Sequence, residues 1–198
     1  MVFLHLRQTG TPPTGGTVGS IVNHVGFVVP DVQEAVAKWK AAGVPVAPGN
    51  NGRLDQAWVT TADGLRVEIL QDKNQTVPIR HEHIHFYVDE TVIPQMQAWY
   101  VRHFGAKPGI RNEAPVADLP GTQLRFAKTA TPTVTTKGRI LDHIGFDVTN
   151  LQERMKKLEA DGVKIERAFT PSPLGGGLGF VADPWGTAIE LNERPKPL

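Results

Sequence analysis

The sequence predicts an α+β chain built from tandem βαβββ modules, and three observations carry that prediction. The chain repeats itself, each repeat holds one amphipathic helix between short strands, and the strands place their polar residues at every second position. "NHVGFVVPDVQEAVAKWKAAGVPV" (23–46) aligns without gaps to "DHIGFDVTNLQERMKKLEADGVKI" (142–165), with an offset of 119 from His24 to His143. Farther on, "DGLRVEILQD" answers "WGTAIELNER", with an offset of 122 from Glu68 to Glu190, so the loops between differ by three residues. A weaker copy lies between them: "EHIHFYVDETVIPQMQAWYVRHFGAKP" (82–108), then "LPGTQLRFAKT" (119–129). The modules therefore span about 20–72, 82–129 and 141–193.

Within each module a short strand leads to a capped helix and then to three more strands. In the first helix Asp31 is the N-cap, with Glu34 three residues on, a capping-box spacing. Val32, Ala35, Val36 and Trp39 form the apolar stripe and Gly43 the stop. Asn150, Leu151, Glu153, Met155, Leu158 and Gly162 repeat that design. In the middle helix Ile93, Met96, Tyr100 and Phe104 form the stripe, and Gly105 ends it. "DPWG" at 183–186 has the residue order of a tight turn between strands.

At the amino end, "MVFLHLRQTG" reads as a lone strand over 1–10, followed by a Pro/Gly/Thr linker over 11–19. "LHLRQTGTPPT" (4–14) matches "LRFAKTATPTV" (124–134) at an offset of 120, so the lone strand reads as the last strand of a further, upstream module. On this reading 1–78 is an incomplete amino-terminal domain, and 79–198 a complete two-module domain. A module without its partner leaves a sheet edge open, so the chain is expected to self-associate as a homodimer, the first module pairing across a two-fold axis.

Composition narrows the function. Lys plus Arg number 21 against 20 Asp plus Glu, and a net charge of +1 gives no footing for nucleic acid or a polybasic membrane surface. No apolar run reaches the length of a membrane span, and no leader is evident, which makes the cytoplasm the expected location. With no cysteine, disulfides, thiolate nucleophiles and Cys-ligated zinc are excluded, and any metal must sit on His, Asp or Glu. No strand–turn–helix nucleophile elbow accompanies the Ser, His and Asp residues. The glycine run "PLGGGLG" at 173–179 precedes a strand pattern, not a helix, and reads as a flexible loop, not a phosphate cradle.

The chemistry concentrates in "HEHIHFYV" (81–88). In a strand His81, His83, His85 and Tyr87 share one face, and Ile84, Phe86 and Val88 the other. His143 and Asp147, and Glu190 and Asn192, share faces in the same way. Such a face reads as a metal site, a proton-transfer site or a wet strand surface.

Modules opening on "NHVGF", "EHIHF" or "DHIGF" and closing on "VEIL" or "DPWGTAIELNE" resemble the vicinal oxygen chelate superfamily. That superfamily holds the glyoxalase I-like isomerases, the extradiol dioxygenases and the bleomycin-resistance proteins. The resemblance implies paired modules whose curved sheets enclose a cleft with one divalent metal (Fe, Mn, Zn, Ni or Co), ligated from first and last strands. The matching positions are His24, His83 and His143, then Glu68, Arg125 and Glu190, with His5 on the lone strand. Pairing modules two and three would make His83, His143 and Glu190 the metal ligands, a two-histidine, one-carboxylate set. Arg125 departs from a four-ligand pattern, since a guanidinium repels a cation, and is expected to hold an anionic substrate group. That departure favours a dioxygenase-like site over a glyoxalase-like one. His85 is either a general base or a histidine lining a wet cleft, and Tyr87 either a proton donor or a structural tyrosine. His5, His24 and Glu68 belong to a first-module site left incomplete. The implied partner is a small molecule that chelates the metal through adjacent oxygens; the alternatives are a metal-free binding protein that sequesters such a molecule, or an inactive truncated fragment.

Overall fold

The computed structural model describes residues 10–195. The lone strand and His5 lie outside the described residues, apart from Gly10. The first module comprises β1 (Val22–Val29), α1 (Val32–Ala41), β2 (Val46–Pro48), β3 (Gln56–Thr60) and β4 (Arg66–Gln71). The second comprises β5 (Arg80–Val88), α2 (Ile93–Phe104), β6 (Lys107–Arg111), β7 (Ala114–Leu119) and β8 (Thr122–Lys128). The third comprises β9 (Ile144–Asp147), α3 (Leu151–Ala160), β10 (Lys164–Pro171), β11 (Gly177–Ala182) and β12 (Ala188–Glu193). This is the α+β, βαβββ architecture that the repeat predicts.

Local chemistry sets the helix ends. Asp31 accepts a hydrogen bond from the Glu34 amide at 2.9 Å, and α2 stops at Gly105 in the left-handed region (φ 70°). Asn150 does not cap α3 with its side chain. Instead the Glu193 carboxylate on β12 accepts from the Asn150 and Leu151 amides, at 2.9 and 3.1 Å, and places its charge at the helix's positive end.

The pairing of modules corrects the sequence reading. Modules one and two, not two and three, join into one eight-stranded sheet of order β2-β3-β4-β1-β5-β8-β7-β6, with β1 antiparallel to β5. Module three forms its own sheet, β10-β11-β12-β9. The reason lies in the faces that need cover. α2 and α3 turn their apolar stripes into one core, where Met96 and Tyr100 meet Phe86, Leu124 and Phe126 of one sheet, and Met155 and Leu158 meet Val181 and Leu191 of the other. Module three thus packs by its helix side, and among the described residues its other sheet face stays open. The joint carries a buried polar tie: the Tyr100 hydroxyl donates to Asp183 at 3.1 Å. Phe104 also packs on Phe146 at 5.4 Å between ring centroids.

The two linkers run against each other. Thr14 N donates to Gly138 O and Ile140 N to Gly15 O, and Ser20 bridges Val134. Thr17 and Thr136, both fully buried, repeat one contact in two places: each hydroxyl accepts from the start of its module's last strand, Arg66 or Ala188, at 3.0 Å.

Candidate metal centre

Two β-bulges shape the site where β1 meets β5. The register runs Val22 to Phe86, then His24 to His85, so Asn23 is the extra residue of β1. It then runs Gly26 to His83 and Phe27 to His81, so Glu82 is the extra residue of β5. A bulge re-aims its side chain, and both bulged residues turn onto their histidine neighbours. The His24 Nδ1 donates to the Asn23 amide oxygen at 3.0 Å, and the His83 Nδ1 donates to the Glu82 carboxylate. The same relation holds in module three, where His143 Nδ1 lies 2.8 Å from Asp142. The bulge at Glu82 also breaks the expected shared face: His81 stacks edge-on against Phe27, at 5.3 Å.

With Nδ1 committed, each Nε2 presents a lone pair, and these converge. His24 Nε2 lies 3.3 Å, and His83 Nε2 3.1 Å, from one oxygen of Glu68. His85 Nδ1 lies 3.0 Å from His24 Nε2. One ligand atom from each of His24, Glu68, His83 and His85 falls within 4.8 Å of all the others. His24 and His83 are 1 % and 0 % exposed, and Glu68 6 %, so water does not solvate them. A buried lone pair facing a buried carboxylate is repulsive without a cation between them. Among the described residues His83 Nε2 is a buried nitrogen with no hydrogen-bond partner. The donor set therefore fits a divalent ion of the kind imidazole and carboxylate favour.

Gly26 makes this possible. A Cβ there would fall inside the His83 imidazole, so only glycine lets His83 lie across β1 and reach Glu68. Gln56 donates to the other oxygen of Glu68 and fixes the carboxylate plane.

Burial would raise the Glu68 pKa, but the His24 and His83 imidazoles facing it, and the Gln56 amide, outweigh burial and hold the group far below the carboxylate range. Burial, then the facing His24 and His83, push His85 down to about 2, so its imidazole is neutral. His24 is also lowered, by burial first, with Glu68 opposing. Burial raises the Tyr87 hydroxyl, which stays protonated, with its ring 5.2 Å from that of His85.

The sequence-derived ligand set is divided. His83 is in the cluster, whereas His143 and Glu190 sit together on the separate sheet, Nε2 to carboxylate 2.9 Å. His24 and Glu68, assigned above to an incomplete site, take the places opposite His83. Arg125 is not free for a substrate: it pairs with Glu82, as Arg111 does at 2.6 Å. The sequence reading gave no role to Arg66. It stacks over the Trp58 ring at 3.9 Å and, next to His24 in the sheet, makes no ion pair among the described residues.

Two βαβββ modules joined edge to edge around a His/Glu cluster define the class. A family model described as the Glyoxalase/Bleomycin resistance protein/Dioxygenase superfamily matches residues 59–191, and the chain belongs to that superfamily. Among solved structures, glyoxalase I from Zea mays aligns with a TM-score of 0.63 at 17 % identity, covering 86 % of this chain and 66 % of that one. A glyoxalase I mutant from Zea mays aligns with a TM-score of 0.65 at 16 % identity, covering 86 % and 67 %. The chain thus spans about two thirds of the maize proteins' length, and at these identities the likeness concerns the fold. No curated protein sequence matches the chain. Among the described residues no helix is long and apolar enough to cross a membrane.

Proposed function

We propose that the chain is a metal-dependent enzyme acting on a small organic anion that binds through adjacent oxygens. The observation that carries the reading is the buried His83 Nε2, without a hydrogen-bond partner among the described residues, facing Glu68 where four ligand atoms converge. His24, Glu68 and His83 would hold the ion, with His85 as a fourth, neutral donor. Once bound, the ion would supply Lewis-acid polarisation of a substrate oxygen and a template for its orientation.

The chain's own residues do the rest. Asn23 and Glu82 keep the imidazoles in the tautomer that presents Nε2, the outer-shell role that sets ligand orientation. Arg66, flattened on Trp58, offers its guanidinium edge to a carboxylate, the part first assigned to Arg125. Tyr87, held protonated, donates a hydrogen bond or a proton to a substrate oxygen.

Elemental analysis of protein purified without chelator tests the reading. About one divalent ion per chain, lost in Glu68→Ala, is the expected result. Iron or manganese would assign oxygen-dependent chemistry, and zinc, nickel or cobalt an isomerase. A protein that stays ion-free after reconstitution with each of these would overturn the proposal.

A further inference from the structure

The loop over 49–55 in module one reaches the metal cluster by two routes, and both start at Asn50. The chain passes there through a short 3-10 turn (Asn50–Gly52), with Asn51 and Gly52 in the left-handed region at φ 54° and 75°. A Cβ at Gly49 would overlap the carbonyl oxygens of Arg53 and Gln56, so only glycine lets the loop fold back on the start of β3. Two outer ties hold it: Gln33 on α1 donates to the Leu54 carbonyl at 2.6 Å, and the Gln71 amide donates to the Asp55 carbonyl at 3.0 Å.

One route uses the main chain. The Asn50 N–H donates to the Gln56 side-chain oxygen at 2.7 Å, which commits that oxygen and turns the amide nitrogen onto Glu68. The other route uses the side chain, whose Oδ1 accepts from Trp58 Nε1 at 3.0 Å. Trp58 stands opposite Glu68 in the β3–β4 pair. Its ring meets His24 edge-on at 4.9 Å and carries the Arg66 guanidinium 3.9 Å above its centre. Gln56 and Trp58 are buried, whereas Asn50 is exposed, so what Asn50 contributes is direction and not burial.

We infer, resting on the function proposed above, that Asn50 is a positioning residue joining the two halves of the site. It sets the carboxylate plane of Glu68 through Gln56, and the guanidinium plane of Arg66 through Trp58. A substrate held on the ion through adjacent oxygens must present its remaining oxygens to Arg66, and a guanidinium–carboxylate pair is directional. An indole free to tilt would carry Arg66 off that line. Loss of the Asn50 side chain therefore weakens anion binding without removing a charge or a ligand. The main-chain route survives that loss, because any residue but proline keeps the N–H that Gln56 accepts.

The test loads the full chain with Co²⁺ and titrates oxalate, a small dianion with adjacent oxygens, following the visible absorption of the cobalt. Cobalt affinity is measured separately, by competition with a chromogenic chelator. Asn50→Ala should weaken oxalate about 10-fold and keep cobalt affinity within about two-fold, which also shows that the variant is folded. Trp58→Phe has no indole N–H to hold and should lose at least as much oxalate affinity, with no further loss in the double variant. Gln56→Leu breaks the other route and should weaken cobalt about 10-fold. Unchanged oxalate affinity in Asn50→Ala, or a loss that adds to that of Trp58→Phe, overturns the inference and leaves the ion site standing, as does unchanged cobalt affinity in Gln56→Leu. A wild-type chain that takes up no cobalt overturns the proposed function and this inference with it.

Discussion

The joint between modules one and two and the open face of module three are built from one sequence pattern with two outcomes. Both have a histidine whose Nδ1 is held by the preceding residue, a glycine two positions on, and a last-strand glutamate facing the histidine's Nε2. At the joint a second first strand lies alongside, His24 and His83 are lost to solvent, and one Glu68 oxygen faces two imidazoles. In module three the His143 side chain is 33 % exposed, and its Nε2 faces Glu190 with no second imidazole beside it among the described residues. The ligand motif therefore presents donors, and strand pairing decides whether they converge and dehydrate into a site.

The contrast is broken most sharply at its glycines. Gly26→Ala drives a methyl group into the His83 ring, so we expect a loss of about 3 kcal/mol in urea unfolding, together with loss of ion binding. Gly145→Ala, at the matched position, should change the stability of the metal-free chain by less than about 0.5 kcal/mol. Equal losses at the two positions would contradict the asymmetry.

The residues that hold Nδ1 come next. Glu82→Gln keeps the shape but removes the charge behind His83, and should weaken ion binding within the chain by about 10- to 100-fold, read by competition with a chromogenic chelator. Asp142→Asn should leave that affinity unchanged. Tyr100→Phe removes the donor to buried Asp183 and should cost about 1–2 kcal/mol of stability, with ion affinity untouched. A change in affinity there would mean that the helix joint and the cluster are coupled.

The smallest effect is on acid stability of the metal-free protein. Burial would raise the Glu82 pKa, but the His83 hydrogen bond and the charges of His83, Arg125 and Arg111 lower it from 4.5 to about 2. A carboxylate whose folded value is depressed stabilises the fold above its unfolded value. That contribution is complete above about pH 4.5 and is lost as pH falls toward 2. Glu82→Gln should flatten this part of the profile, measured as the unfolding midpoint against pH.

The sequence revealed what is local. Helix stripes, glycine stops and the Asp31 cap depend on residues a few positions apart, and the repeat carried them from one module to the next. The pairing of modules was harder to read because three first strands share nearly one pattern, and edge pairing depends on which faces find cover. Two signals were nonetheless present. Val28 in β1 has Asp147 as its repeat counterpart in β9, and a strand bearing that charge, paired here with Arg194 at 2.7 Å, suits a solvent-facing sheet. His85 stands where modules one and three have glycine, which marks β5 as the strand lying against Gly26 and His24. The role of Glu82 was not legible, because strict alternation puts it on the core face and only the bulge turns it toward His83.

Crystals soaked in cobalt, with anomalous differences collected at the metal edge, would test the central claim most directly. The account expects a peak among His24, Glu68 and His83, bounded by β1, β4 and β5. No peak there, or a peak only beside His143 and Glu190, would contradict it.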